Sequence, residues 1–259
     1  HHMTDHKPGQ MTGRIYRLTP KGGDDKYSIA KKRTALSMLT SPNLASRYIA
    51  WQQLNAVGAK AEGTLAKLWQ DDDQRLRARA LHLLARIDGL EKKYIDAALG
   101  DDNSDIRITG LRIARERGHD IIPLVKQLAD DPSAAVRREC AIALRHNDSP
   151  AAPALWAKLA QQHDGADRWY LEALGLALDR QQDKFFGAWL EAVGSNWDTP
   201  VGRDIVWRSR SKKTPDLLVK ILLNKKTKEA DKPRYIRALD FQSGPEKDAA
   251  LLKLLGAGS

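Results

Sequence analysis

Four arginines recur at a fixed interval: Arg47, Arg77, Arg107 and Arg137 are evenly spaced, and Arg168 follows just beyond the next step. Acidic residues keep the same rhythm, with Asp71, Asp101, Asp130 and Asp131 in short polar stretches between apolar runs. A guanidinium offers five N–H donors in a planar fork, so it can grip an anionic ligand or a carboxylate of the protein itself. The even spacing favours the internal role. We read Arg47, Arg77, Arg107, Arg137 and Arg168, with Asp101 and Asp131, as a structural ladder. Each arginine is expected to reach a loop acid or helix-end carbonyl of the adjoining unit.

Two further groups have the residue types of a binding surface. Arg75, Arg79, His82 and Arg86 repeat at the interval that lines one face of a helix. Arg112, Arg115, Arg138 and Arg145 extend the stripe, but Glu116 and Glu139 interrupt it. The second group is aromatic: Trp169, Tyr170, Trp189, Trp197 and Trp207 crowd into one stretch, with Asp167, Asp198, Arg203 and Asp204 among or beside them. Trp169, Trp197, Arg203 and Trp207 are its candidate binding residues. Tryptophan beside aspartate could stack and hydrogen-bond a sugar or a base, whereas Trp189 in Phe185-Phe186-x-x-Trp189-Leu190 has the spacing of a packed core.

Other chemistries lack their residues. The sequence holds no glycine-flanked serine elbow, no phosphate loop and no histidine pair at metal-binding spacing. A single cysteine, Cys140, rules out an internal disulfide and any cysteine-rich metal site, and it falls where Ala80 and Gly110 stand in neighbouring units. It reads as a small buried hydrophobe. No apolar run reaches the length of a membrane span. The formal net charge is +10, and Arg203 to Arg237 holds twelve Lys and Arg against four Asp and Glu. Such a stretch could meet an anionic partner, but a solvated lysine-rich surface is the simpler account.

The elements that must position these residues are helices in pairs. Leu128, Asp130, Asp131, Val136-Arg137, Cys140-Ala141 and Leu144 repeat, in nearly the same register, the pattern Leu99, Asp101, Asp102, Ile106-Arg107, Gly110-Leu111 and Ala114. Leu68, Asp71, Leu76-Arg77, Ala80-Leu81 and Leu84 give an earlier line. A period of roughly 30 residues, carried by small and apolar side chains, marks a helical solenoid. Second helices are expected to begin near Ser46, Arg75, Asp105, Ala135 and Asp167, to be capped by Asp or Asn, and to end at Gly58, Gly89 and Gly118. The fold expected is an all-α superhelix of about six to seven helical pairs over residues 27–259. Residues 1–11 read as a tag remnant and linker. Residues 12–26, with Gly13-Arg-Ile-Tyr-Arg-Leu-Thr-Pro20, read as a short extended segment.

The phrase Leu-x-Asp-Asp/Pro, followed by Val/Ile-Arg and two alanine-type positions, resembles HEAT repeats of the phycobiliprotein-lyase-like variety over roughly Tyr27 to Phe241. That resemblance implies a solenoid whose second helices line a concave binding face. Asp167-Arg-Trp-Tyr-Leu-Glu-Ala-Leu-Gly175 and Trp197-Asp-Thr-Pro-Val-Gly-Arg-Asp-Ile-Val-Trp-Arg208 resemble the HEAT segment of large secreted proteins of planctomycete-type bacteria. Those proteins carry a sugar-dehydrogenase-like β-propeller ahead of the helices and often a c-type cytochrome behind them. Gly13–Leu18 is similar to the closing strand of such a propeller, which implies that the chain is a piece of a longer one. No Cys-x-x-Cys-His is present, so haem binding is not implied.

The expectation from these readings is a non-catalytic scaffold without cofactor or metal. Its partners would be a protein or adjacent domains of an extracytoplasmic parent chain. A second reading is a nucleic-acid-binding HEAT-like protein, with the alkylpurine DNA glycosylases as the enzyme class.

Overall fold

The computed structural model describes residues 34–257. Residues 1–11, read as tag remnant and linker, residues 12–26, read as an extended segment, and the first residues of the 27–259 range lie outside them. Among the described residues there are fifteen α-helices and no strand. They run α1 (Ala35–Leu39), α2 (Leu44–Val57), α3 (Glu62–Trp69), α4 (Gln74–Leu84), α5 (Glu91–Leu99), α6 (Ser104–Glu116), α7 (Ile122–Leu128) and α8 (Ala134–Ala143). Then follow α9 (Ala152–Ala160), α10 (Arg168–Ala177), α11 (Gln182–Val193), α12 (Pro200–Arg208), α13 (Thr214–Leu223), α14 (Lys232–Asp240) and α15 (Pro245–Ala257). Seven pairs and a closing helix result, at the upper end of the expected number. Between α11 and α12 the chain makes a 3-10 turn, Gly194–Asp198.

The even-numbered helices form one layer and the odd-numbered helices the other. Along the even layer α4 packs on α6, α6 on α8, α8 on α10, α10 on α12 and α12 on α14; in the odd layer α9 packs on both α7 and α11. The start of five second helices is set locally, while Ser133 before α8 and Asp231 before α14 make no side-chain cap. Asn43, Asp73, Asn103, Asp167 and Thr199 lie in extended backbone and their side chains accept N–H groups of the first turn. Two residues upstream, Asp71, Asp101 and Asp131 accept the N–H of Asp73, Asn103 and Ser133 at 2.8, 2.9 and 2.8 Å. The acid rhythm therefore marks a turn repeated three times.

The small-residue rhythm marks close packing. Ala50, Ala80, Gly110 and Cys140 occupy the same place in α2, α4, α6 and α8, and all are buried. A β-carbon on Gly110 would stand 2.8 Å from that of Ala98, so α5 and α6 touch through backbone there. Leu54, Leu84, Ala114 and Leu144 form the next buried row. Each leucine so enclosed contributes about 2 kcal/mol by leaving water. Burial pushes the Cys140 thiol up to about 12, which leaves it protonated and inert, as its small-hydrophobe position predicted.

The period breaks after α8. Caps at Asn43, Asp73, Asn103 and Ser133 keep one constant interval, but the next, Asp167, comes late. The extra residues lie at the end of α9 and in the turn before α10.

Candidate functional site

The arginine ladder is built as two complete rungs. Arg77 grips the carboxylate of Asp101 and donates to the Trp69 carbonyl at 3.1 Å. Arg107 donates to both oxygens of Asp131, at 2.7 and 2.8 Å, and to the carbonyls of Asp101 and Asp102. Asp131 has a side chain only 5% exposed. Burial pushes its carboxyl up, but hydrogen bonds from Arg107 and the Ser133 N–H outweigh this and hold it below the ordinary 3.8. Arg47 and Arg137 make the carbonyl half alone, to Ser41 and Pro42 and to Asp131 and Pro132. Asp130 is no part of the ladder; it pairs with Lys158 at 2.5 Å.

Arg168 is not a rung. The lengthened turn moves the cap to Asp167, so the ladder position, four residues after the cap, is Leu171, which is buried. Arg168 is in the first turn of α10, 82% exposed, 3.9 Å from Glu172 and over the ring of Trp169. Three residues after α9, where the ladder acid would stand, is His163, and the next residue, Asp164, accepts the Ala166 and Asp167 N–H groups; Arg137 finds the face of Tyr170 at 5.6 Å instead and its Nε has no partner. The ladder resumes at Arg203, four residues after the cap Thr199. It donates to Asp198 at 2.6 Å and to Thr227 at 3.0 Å. Arg203, expected in the aromatic cluster as a binding residue, is thus held as a rung.

The basic stripe is largely occupied too. Arg75 forks onto Asp73, Arg79 donates to the Leu39 carbonyl at 3.0 Å, and Arg86 lies over the ring of Trp51 at 5.2 Å. His82 is half-buried, and burial makes it harder to protonate. Arg112 reaches Glu139 at 2.7 Å, and Arg115 reaches the same carboxylate at 3.5 Å. Glu139, which breaks the stripe in the sequence, has a side chain only 4% exposed and is the anchor between α6 and α8. Arg138 to Asp167, Arg208 to Glu172 and Arg234 to Asp204 continue such pairings along the even layer, at 3.0, 3.1 and 2.8 Å.

The aromatic residues divide. Tyr170 and Trp189 are buried, Tyr170 donating its hydroxyl to the Leu159 carbonyl and Trp189 stacking on Phe186 at 5.4 Å. Trp197 is half-buried in the 3-10 turn, its carbonyl packed where Gly202 has no side chain. Trp207 is half-buried with the Arg234 guanidinium over its ring at 4.4 Å. Trp169 alone of the candidates projects into solvent, 68% exposed.

The irregular turn leaves two adjoining clefts of about 670 and 240 Å³, both lined by Gly165, Ala166, Asp204 and Arg234. Asp204 is their central group. His163 Nε2 lies 3.3 Å from one of its oxygens and Arg234 2.8 Å from the other. Burial raises its carboxyl, but His163 and Arg234 outweigh that and hold it below its usual range. With both oxygens engaged, Asp204 is a poor proton acceptor for substrate. No local pattern points to His163, because its partner lies 41 residues further along the chain. Among the described residues no group of three His, Cys, Asp or Glu is placed to hold a metal, and no helix is long and apolar enough to cross a membrane.

Among curated proteins, none matches the chain. Residues 91–175, from the start of α5 to the last turn of α10, match the family model for HEAT repeats. With that match set inside the paired helices that flank it, the described part of the chain is an all-α HEAT-like solenoid.

Proposed function

We propose that this solenoid is a non-catalytic scaffold that holds a neighbouring domain of a larger, extracytoplasmic, dehydrogenase-like parent protein, or a separate protein partner. HEAT repeats are generally protein-binding elements, and their stacked helices offer long surfaces for that purpose. The observation that carries the reading is the pairing of cations with acids from one second helix to the next: Arg112 with Glu139, Arg138 with Asp167, Arg208 with Glu172 and Arg234 with Asp204. These pairs stiffen the layer and leave no continuous track of free cations for a phosphate backbone. The likeness of Asp167–Gly175 and Trp197–Arg208 to secreted propeller-containing proteins supports the choice of parent. The glycosylase reading needs a free aspartate beside an open tryptophan. Asp204 is held on both oxygens and Trp207 is covered by Arg234.

Cross-linking mass spectrometry on the longer parent protein tests the proposal. Links from lysines of this solenoid to another domain or to a bound protein are expected, and a solenoid linked only to itself overturns the scaffold. Duplex DNA titrated at low and physiological salt tests the second reading. Tight binding that weakens steeply with salt would replace the scaffold by a nucleic-acid protein.

A further inference from the structure

Deepening the scaffold reading, and resting on it, we infer that the edge formed by the turns after α10, α12 and α14 is a docking groove for an extended acidic peptide segment of the partner protein. The groove has a volume of about 690 Å³ and spans turns of three successive repeats. Three exposed cations line it: Arg180, Lys184 and Lys212. None of the three side chains makes a hydrogen bond or ion pair with a described residue, unlike the arginines of the even layer. The acids around them are mostly engaged in building the turns. Asp183 accepts the Ser211 hydroxyl at 2.8 Å and the Lys212 N–H at 2.7 Å, and Asp148 accepts from Gln181 at 3.3 Å. Arg210 is likewise engaged, donating to the carbonyls of Trp207 and Ser209 and lying over Phe241.

Arg180 is the telling residue. Its φ is 62°, a left-handed conformation that L side chains rarely adopt. The turns after α2, α4 and α6 meet the same demand with Gly58, Gly89 and Gly118. His146, at φ 59°, also departs from glycine, but its ring is held by Asp179 at 2.8 Å. Arg180 has no such partner, so the fold alone gives no reason for a cation where glycine fits better. A ligand carboxylate gives one. Asp148, Asp183 and Glu246 line the same groove and would repel a polyphosphate, while spaced carboxylates on a peptide can pass between them.

Fluorescence anisotropy with the full chain tests this, using labelled Glu-Ser, Gln-Ser and Lys-Ser repeat peptides as probes. The Glu-Ser peptide is expected to bind at least about tenfold more tightly than the other two, and Lys184→Glu or Lys212→Glu to weaken it by about tenfold each. Arg180→Gly is the sharpest variant. It should raise the melting temperature, because glycine relieves the backbone, and yet weaken Glu-Ser binding. Equal affinity for the three peptides, unchanged binding by Arg180→Gly, or displacement by millimolar inorganic phosphate or by duplex DNA overturns the inference. Cross-links from the rest of the solenoid in the parent protein would survive that failure, so the two readings fail separately.

Discussion

Residues 43–144 and residues 152–241 use the same helical pair for different ends. In the first stretch caps recur at a constant interval, a loop acid closes three of the turns, and Arg77 and Arg107 reach the loop of the next repeat. In the second, the turn between α9 and α10 is longer: Asp164 still closes it by accepting the Ala166 and Asp167 N–H groups, but the arginine is gone and Leu171 fills the rung. The second stretch is held by ion pairs between second helices and by large aromatic rings. Trp156 is enclosed and donates to the Leu174 carbonyl at 3.1 Å. The clefts around Asp204 open where the period fails, whereas the cleft of about 390 Å³ in the regular stretch, between Asp73 and Thr109, is lined by capping and turn residues. A repeat that satisfies all its own polar groups has little left for a ligand; one that breaks register leaves groups such as Arg180 to be satisfied from outside.

The largest effect expected from this contrast is at the complete rung. Arg107→Ala leaves Asp131 buried without its cation and should cost about 3 kcal/mol. Arg137→Ala, whose partners are two carbonyls and a ring face, should cost about 1 kcal/mol. Denaturant unfolding of both variants checks the pair, and equal losses would erase the distinction between the regions.

Gly175→Ala comes next. A methyl group there would land on the Arg208 guanidinium, which crosses the glycine to reach Glu172. The guanidinium is the far end of a flexible side chain and can swing aside, so the expected cost is about 1 kcal/mol, the loss of its contact with Glu172. The fall should largely vanish in an Arg208→Ala background, and an undiminished loss in that double variant would show that the glycine serves another neighbour.

A smaller effect is pH dependence. The Asp131 carboxyl is held below 3.8 in the folded chain. As pH falls through that value the unfolded chain takes up the proton first. The stability from this group is therefore complete above about pH 4 and is lost as pH drops through the lower folded value. Asp131→Asn should flatten part of the acid limb of a stability–pH profile, and an unchanged limb would assign it to other carboxylates. The smallest effect is at Arg168→Ala, within about 0.5 kcal/mol, because the side chain stands in solvent. A loss as large as that of Arg107→Ala would return Arg168 to the ladder.

The sequence by itself determined the helical pairs, their caps and the rungs of the regular stretch. These depend on contacts within one period: Asn103 caps the turn that directly follows it, and Arg107 reaches Asp131 at the separation that Arg77 and Asp101 share. Cys140 and Trp189 were legible as core for the same reason, since helical spacing places them on the buried face. Tertiary structure decided which charges are free. Glu139 reads as an interruption of a basic stripe until α6 and α8 pack and bury it between Arg112 and Arg115. Arg168 keeps almost the right spacing, but the longer turn shifts the register and leaves it in solvent, while Arg203 takes up a rung. His163 and Asp204 meet from different repeats, at a distance in sequence that no local pattern encodes. Whether a charged side chain binds a partner or its own fold is settled by the desolvation and pairing that packing imposes, and those exist only once the helices are stacked.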